Sequence, residues 1–440
     1  MNRSLWQDTC EMPRFPSLDG NKRTDILIVG GGIAGILTAY FLHQRNVPYI
    51  LVEKNRICSG TTGNTTAKIT LSNGLIYSKI MKKYGNEIAQ IYLRGNKAAL
   101  CNFGELCKDI DCDYEIKDNY IYSVDDRRKL EGELRALEKL GYRAKMCEEP
   151  TITLKTVGAV MCEEQAQINP LKLLSAISKD LNIYENTWVK DIEGKRAITD
   201  RGYIDARKIV IATHFPFIDG IGGYYLKMYQ HRSYEIAIKN ASDVRGMYVD
   251  DDKAGMSFRN YKDYLLLGGG GHRTGKSGGG WHELREFTKL HYPKSREEYY
   301  WAAQDCMTLD SLPYVGEYAP SVVGLYVATG FNKWGMNGSM MAAMILSDIL
   351  CEKENELASA LYPARSILHP QLLINGIETT ANFLRPTAPR CTHLGCALKW
   401  NKAEKSWDCA CHGSRFSKDG EVIDNPANKN MRKINQKSDF

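Results

Sequence analysis

The chain has 440 residues, of which 43% are hydrophobic and 25% charged, and a formal net charge of +6. That length holds two or three globular domains, and so mild a charge excludes the basic footprint that nucleic acids require, so no nucleic-acid partner is expected. No run of eighteen apolar residues occurs and the start, MNRSLWQDTCEMPRF, has no apolar signal core, so the expectation is a cytoplasmic protein without a membrane span.

Residues 1–22, with Pro13 and Pro16, read as an irregular leader that Trp6 pins to the body. Ile26–Val29 is a short apolar run of the kind found in buried parallel strands. Gly30, Gly32 and Gly35 follow in G-x-G-x-x-G spacing. Then come a helical segment Ile36–Gln44, a turn at Arg45-Asn46, and a second apolar strand Tyr49–Val52 that ends at Glu53. In such a unit the first glycine makes the tight turn, the second admits a pyrophosphate to the backbone, and the third lets helix and strand pack closely. The helix N-terminus faces the phosphates and the acid faces ribose hydroxyls. The candidate contacts are therefore Gly30, Gly32, Ile33, Ala34, Gly35, Glu53 and Lys54. The loop Ser59–Lys68, rich in hydroxyls, adds Thr61, Thr62, Thr65, Thr66 and Ala67.

Helical patterns follow over Tyr77–Leu106, Asp126–Leu140 and Leu171–Leu181, the last opened by Pro170. A strand begins at Trp188-Val189, and Lys208–Thr213 is a short buried strand that returns beside the first, adding Val189, Ala212 and Thr213 to the candidate site. From Tyr229 the pattern alternates as antiparallel strands do, and it predicts a second, substrate-covering sheet followed by a helix His282–Leu290. Leu325–Thr329 is a further strand. The turn GFNKWGMNG and a helix Ser339–Leu350 come after it. Glu352–Arg390, with its charged run and four prolines, reads as a connection.

Nine of the thirteen cysteines are scattered without a framework, and four cluster near the C-terminus. There Cys391-Thr-His393 is followed, after fifteen residues, by Cys409-Ala-Cys411-His412. Two cysteines and two histidines suit a [2Fe-2S] centre in which imidazoles replace two thiolates on one iron. The same donors suit zinc, and spacing alone leaves both open. The sequel His412-Gly413-Ser414-Arg415-Phe416 favours the iron–sulfur reading.

On GGGIAG, Glu53, TTGNTTAK, IATHFPF and ATGFNKWGMNG, residues 22–350 resemble the D-amino-acid oxidase and glycine oxidase superfamily of FAD-dependent oxidoreductases. On WDCACHGSRF, residues 389–427 resemble a Rieske domain. The resemblance implies an α/β fold: a Rossmann-like FAD domain (23–75, 150–228, 300–352), a substrate domain on an antiparallel sheet (76–149, 229–299), a linker (353–388) and a small, shortened Rieske β module (389–440). Where such a module usually opens with base strands, only about forty residues separate the flavin domain from Cys391 here; Ala410 replaces a proline and Phe416 a tyrosine, which leaves Ser414 as the one hydroxyl donor to the cluster. The implied ligands are Cys391, His393, Cys409 and His412, with a disulfide between Cys396 and Cys411. The implied cofactors are FAD and [2Fe-2S].

Gly330, Phe331, Lys333, Trp334, Gly335 and Met336 would complete the flavin site, with Lys333 and the helix start beside the reduced ring. Arg232, Tyr234, His272 and Lys333 are the candidate substrate contacts, Arg232 as a bidentate partner of a carboxylate. The implied activity is oxidation of a small amino acid or amine by hydride transfer to flavin. The cluster would relay electrons to an outside acceptor, such as a redox protein. The alternative is an electron-transfer or redox-sensing protein with no small substrate. Because the two cofactor motifs lie on separate segments, each site is expected to hold its cofactor independently of the other.

Overall fold

A computed structural model describes residues 3–218, 220–252, 255–366, 368–386 and 389–432. The leader is more ordered than expected. Ser4 caps a short helix Leu5–Thr9, Trp6 is fully buried, and its indole donates to the Thr65 carbonyl at 2.6 Å.

The first sheet is built on strand Lys22–Val29. Tyr49–Val52 and Gly202–Ile211 pair with it in parallel on either side, placing Leu51 and Val210 opposite Ile28. Leu325–Thr329 extends the sheet in parallel beyond Gly202–Ile211. Alternate side chains of a strand point to opposite faces, and here Ile26 and Ile28 enter one apolar cluster while Leu27 and Val29 enter another. The first cluster also takes in the helices Ile33–Gln44 and Gly335–Leu350. Both helices start earlier than their patterns suggest. Gly32 and Trp334 are their N-caps, and neither uses its side chain to cap.

The second sheet has nine strands and is mixed. Met228–Lys239 lies between Tyr264–Arg273 and Arg296–Thr308, antiparallel to both. Met247–Asp250 pairs antiparallel with Ser257–Tyr261 but parallel with Glu115–Ser123. Gly158–Gln167, Lys68-Ile69 and Arg296–Thr308 also belong to this sheet, so it draws on stretches that the sequence division gave to the FAD domain. Asp126 and Asn169 each accept two backbone N–H groups and cap the helices Arg127–Lys139 and Pro170–Ser178.

The segment read as a plain connection contains two helices, Leu357–Leu361 and Pro370–Leu384. The second occupies the stretch in which the base strands were expected to be shortened or missing. Arg365 anchors the segment between them: its guanidinium pairs with the buried Asp310 at 2.6 Å and donates to the carbonyls of Leu312, Pro313 and Tyr362. The last unit is a four-stranded antiparallel sheet, Leu398–Asn401, Ser406–Cys409, Arg415–Ser417 and Val422–Asp424. No helix among the described residues is long and apolar enough to cross a membrane.

Candidate active site and cluster loops

A cavity of about 590 Å³ opens where the first sheet's strand ends meet the second sheet. Strand Lys22–Val29 runs into Gly30 at φ +114, and a Cβ there would fall on the backbone of Ala212. Gly35 lies behind the turn, where a Cβ would overlap the Gly30 carbonyl oxygen. Gly32 differs: a Cβ there would meet only the Thr62 hydroxyl, at 3.2 Å. The Thr62 Oγ1 accepts from the Ile33 N–H at 3.0 Å, so the Ser59–Lys68 loop closes over the helix start.

Glu53 ends the neighbouring strand with its Oε2 accepting from Gly31 N at 2.7 Å and its Oε1 from Asn55 N at 2.9 Å. Burial pushes its carboxyl up, and those two N–H groups and Lys54 oppose the rise. The cavity wall includes Gly30, Gly32, Ile33, Ala34, Glu53, Lys54, Thr61, Thr62, Thr65, Thr66, Val189, Ala212, Thr213, Phe331, Lys333, Trp334, Gly335 and Met336. Gly35, Ala67 and Gly330 stand behind it. The Ala67 carbonyl accepts from the buried Arg259 at 2.8 Å, and a Cβ on Gly330 would meet the Thr308 methyl. Bare backbone at the helix start and an anchored carboxylate fit a dinucleotide cofactor.

Beyond these residues the cavity meets small side chains of the second sheet, Gly268, Gly269, Ala302 and Ala303, together with Lys68, Glu235, Asp305 and Lys333. Lys68 donates to the hydroxyls of Thr66 at 3.1 Å and Ser257 at 3.4 Å. Burial pushes Lys68 down and Glu235 up, and each group's charge opposes the shift of the other. The Glu235 Oε2 is buried and accepts no hydrogen bond among the described residues. Sequence reading missed both groups. Glu235 shares its strand with Gln230, His231, Arg232 and Ser233, and Lys68 opens a strand of only two residues, so neither charge stands out in the sequence.

Arg232, Tyr234 and His272 gather elsewhere, at the contact between the second sheet and the C-terminal unit. The bidentate carboxylate expected of Arg232 comes from the chain itself: Glu404 pairs with both its Nε and its Nη2. Tyr234 donates to Glu404 at 3.1 Å and lies 3.0 Å from His272 Nε2. Arg415 completes the network, reaching Glu404 at 2.7 Å, Asp408 at 3.1 Å and Asp424 at 3.0 Å. Burial opposes ionisation of Glu404, but Arg232 and Arg415 outweigh it and hold the carboxyl low.

Further bonds dock the cysteine loops on the second sheet. Gln230 donates to the His412 carbonyl at 3.0 Å and Gln304 to that of Gly413 at 2.9 Å. Arg273 reaches the carbonyls of Ala410 and Cys411, both at 3.2 Å, and the Asn375 side chain at 3.0 Å. Arg232 and Gln304 also line the cavity, as do Arg415, Asp424, Asn425 and Asn428 of the C-terminal unit. That unit therefore forms part of the cavity wall, which nothing in the sequence announced.

Within the loops, Cys391, Cys409 and His412 are buried and His393 half-buried. The Cys391 and Cys409 thiols hydrogen-bond each other, and the His393 and His412 rings lie 4.9 Å apart at 86°. Neither ring nitrogen of His412 has a hydrogen-bond partner among the described residues. The Cys409, Cys396 and Cys411 sulfurs also lie close together, but the last two are joined as a disulfide. Two thiols, two imidazoles and an unpartnered buried ring fit a [2Fe-2S] cluster. Ser414 hydrogen-bonds Cys391 and also accepts from Ala427 N at 3.0 Å.

The family profile described as FAD dependent oxidoreductase matches residues 25–349, and that of the Rieske [2Fe-2S] domain matches 368–435. The Rieske match thus takes in the helix Pro370–Leu384. The chain is 34% identical to the Rieske 2Fe-2S iron-sulfur protein YhfW of Bacillus subtilis (strain 168), across 98% of this chain and 97% of that one. In fold it is similar to glycine oxidase from Geobacillus kaustophilus, with a TM-score of 0.66, 20% identity, and coverage of 78% of this chain and 99% of that one. It is similar also to L-proline dehydrogenase from P. horikoshii, with a TM-score of 0.66, 16% identity, and coverage of 79% and 98%.

Proposed function

The chain belongs to the FAD dependent oxidoreductase family and carries a Rieske [2Fe-2S] domain, and on that footing we propose that it oxidises a small amino acid or amine and passes the electrons outward through the cluster. The observation that carries this reading is the buried Glu235 Oε2 in the wall of the cavity, an acceptor without a donor among the described residues. A substrate N–H is the group it lacks. Lys68, also in the wall, supplies the opposite charge for a substrate carboxylate. Gly268, Gly269, Ala302 and Ala303 leave room for a flat ring and a small substrate between them.

When bound, FAD accepts a hydride from a C–H bond beside nitrogen, and the [2Fe-2S] cluster carries single electrons. The protein's part is to orient the substrate, to exclude water and to manage one proton. An amine must shed its ammonium proton before its C–H bond gives up hydride. Glu235, with its carboxyl pushed up by burial, is suited to hold that proton. Lys333 and Asp305 set the charge beside it, as do the peptide dipoles at the start of helix Gly335–Leu350.

The test is an anaerobic panel of amino acids and amines that follows flavin bleaching and cluster reduction together. A substrate should bleach the flavin first and reduce the cluster next. Glu235→Gln should raise KM about tenfold and remove the acidic limb of the pH profile. If no member of the panel bleaches the flavin, the oxidase reading fails and electron exchange between proteins takes its place.

A further inference from the structure

The two cluster histidines do not meet solvent equally. His412 is buried, its ring 5.9 Å from that of Tyr225 and its carbonyl bound by Gln230. His393 is half-buried and precedes Leu394, an exposed apolar side chain. The helix Pro370–Leu384 ends beside it. Phe383, 56% exposed, has its ring edge 3.7 Å from a Cβ placed on Gly395, and Leu384 is 73% exposed. Arg390 joins the two pieces, donating to the carbonyls of Phe383, Gly395 and Arg385. The Lys429 carbonyl accepts from the Thr392 hydroxyl. His393 therefore sits at an apolar step, bordered by the exposed cations Arg385, Arg390 and Lys429.

Charge on this unit is sorted. Between residues 385 and 432, eight Lys or Arg side chains are exposed, against two exposed carboxylates, Asp419 and Glu421. The other acids, Glu404, Asp408 and Asp424, are turned inward onto Arg232 and Arg415. A second copy of the chain would bring the same positive face and be repelled. The cations that border His393 are Arg385, Arg390 and Lys429, and a lipid surface that took the apolar helix would offer the cluster no electron acceptor.

We propose that this face is the docking site of a small acidic one-electron carrier protein, which takes electrons at His393. The inference rests on the outward relay proposed above. Each encounter moves one electron from the cluster to the oxidised carrier. No bond forms or breaks and no proton is transferred. Two encounters account for the two electrons of one substrate oxidation.

The test measures binding to the oxidised full-length holoprotein, without turnover, using a labelled [2Fe-2S] ferredoxin of plant type as the acidic probe. Binding should weaken about tenfold or more between roughly 20 and 300 mM salt. It should be abolished when the ferredoxin carboxylates are amidated. Leu394→Asp, and separately Arg385→Glu with Lys429→Glu, should each weaken binding about tenfold, with iron content and flavin spectrum unchanged. Lys82→Glu, on an exposed position of helix Tyr77–Cys107, should not. Absent or salt-insensitive binding overturns the proposal, as does an equal effect of Lys82→Glu. So does face-dependent binding to phosphatidylglycerol vesicles in place of ferredoxin, or self-association that Leu394→Asp disperses. If ferredoxin binds here while substrate fails to reduce the cluster, the relay is lost and the docking face stands.

Discussion

Gly32 and Gly35 belong to one motif and are constrained by different things. A side chain at Gly35 meets the Gly30 carbonyl, whereas at Gly32 it meets only the Thr62 hydroxyl and would stand where a motif of this kind admits a pyrophosphate. Gly35→Ala should therefore destabilise the apoprotein by about 2 kcal/mol in urea unfolding. Gly32→Val should leave apoprotein stability nearly unchanged and abolish FAD retention on gel filtration. A second residue-scale case is Asp310. Burial opposes its ionisation, yet Arg365 and the Tyr84 hydroxyl outweigh it and hold its carboxyl at about 2. A depressed acid contributes stability above its unfolded value and loses it as pH falls through the folded one. Between about pH 4 and pH 2 this pair should give up roughly 2 kcal/mol. Asp310→Asn should unfold more readily at pH 7 by about 3 kcal/mol or more, and its deficit against the parent should shrink across that acid window. Neither partner of Arg365 nor that of Arg232 was legible, because Arg232 meets Glu404 across 172 positions of sequence. A lone arginine on a strand looks the same whether its carboxylate is a substrate's or the chain's own.

At the scale of elements, much was legible wherever the deciding contacts are local. The four-residue strand Tyr49–Val52 and the strand Leu325–Thr329 follow from period and propensity. The glycines of Gly335–Gly338 look like a turn, but they form the first turn of a helix, and Phe331 packs on Gly338 so closely that a side chain has no room there. Pro370–Leu384 was hidden for another reason. Its large apolar side chains, Leu373 and Ile377 among them, point outward, so its periodicity does not report a core. That helix is held at one end of a chain of contacts through Asn375 to Arg273, which also grips the Ala410 and Cys411 carbonyls. A cation there favours the reduced, more negative cluster. Arg273→Gln should lower the cluster's reduction potential by on the order of tens of millivolts in a titration followed by electron paramagnetic resonance. Iron content should stay near that of the parent. An unchanged potential would leave Arg273 with loop docking alone.

At the scale of the whole molecule, the cavity and the unit that carries the cysteine loops share a wall. The sequence sets them on separate segments and makes them look independent, and the overall charge of +6 conceals how unevenly the cations are spread. In three dimensions Asn425 donates to the carbonyls of Thr213, at 2.6 Å, and Phe215, while its own carbonyl accepts from Gln230 at 2.9 Å. Asn428 donates to the Lys190 carbonyl, and Lys54 donates to that of Val422 at 2.8 Å. Each of these bonds fastens the C-terminal unit to the rest of the cavity wall, so a flavin held in that cavity is expected to leave only when the unit lifts. Asn425→Ala with Asn428→Ala removes three of the fastenings and should speed FAD dissociation about tenfold or more in a dilution experiment followed by flavin fluorescence. Coupling between sites is reciprocal. Cys409→Ala, which empties the cluster, should therefore also quicken FAD loss, because loops without their metal hold the docking carbonyls of His412 and Gly413 less firmly. Equal dissociation rates in parent and Cys409→Ala protein would mean that the wall stands without the cluster and that the two cofactors share a boundary but no free energy.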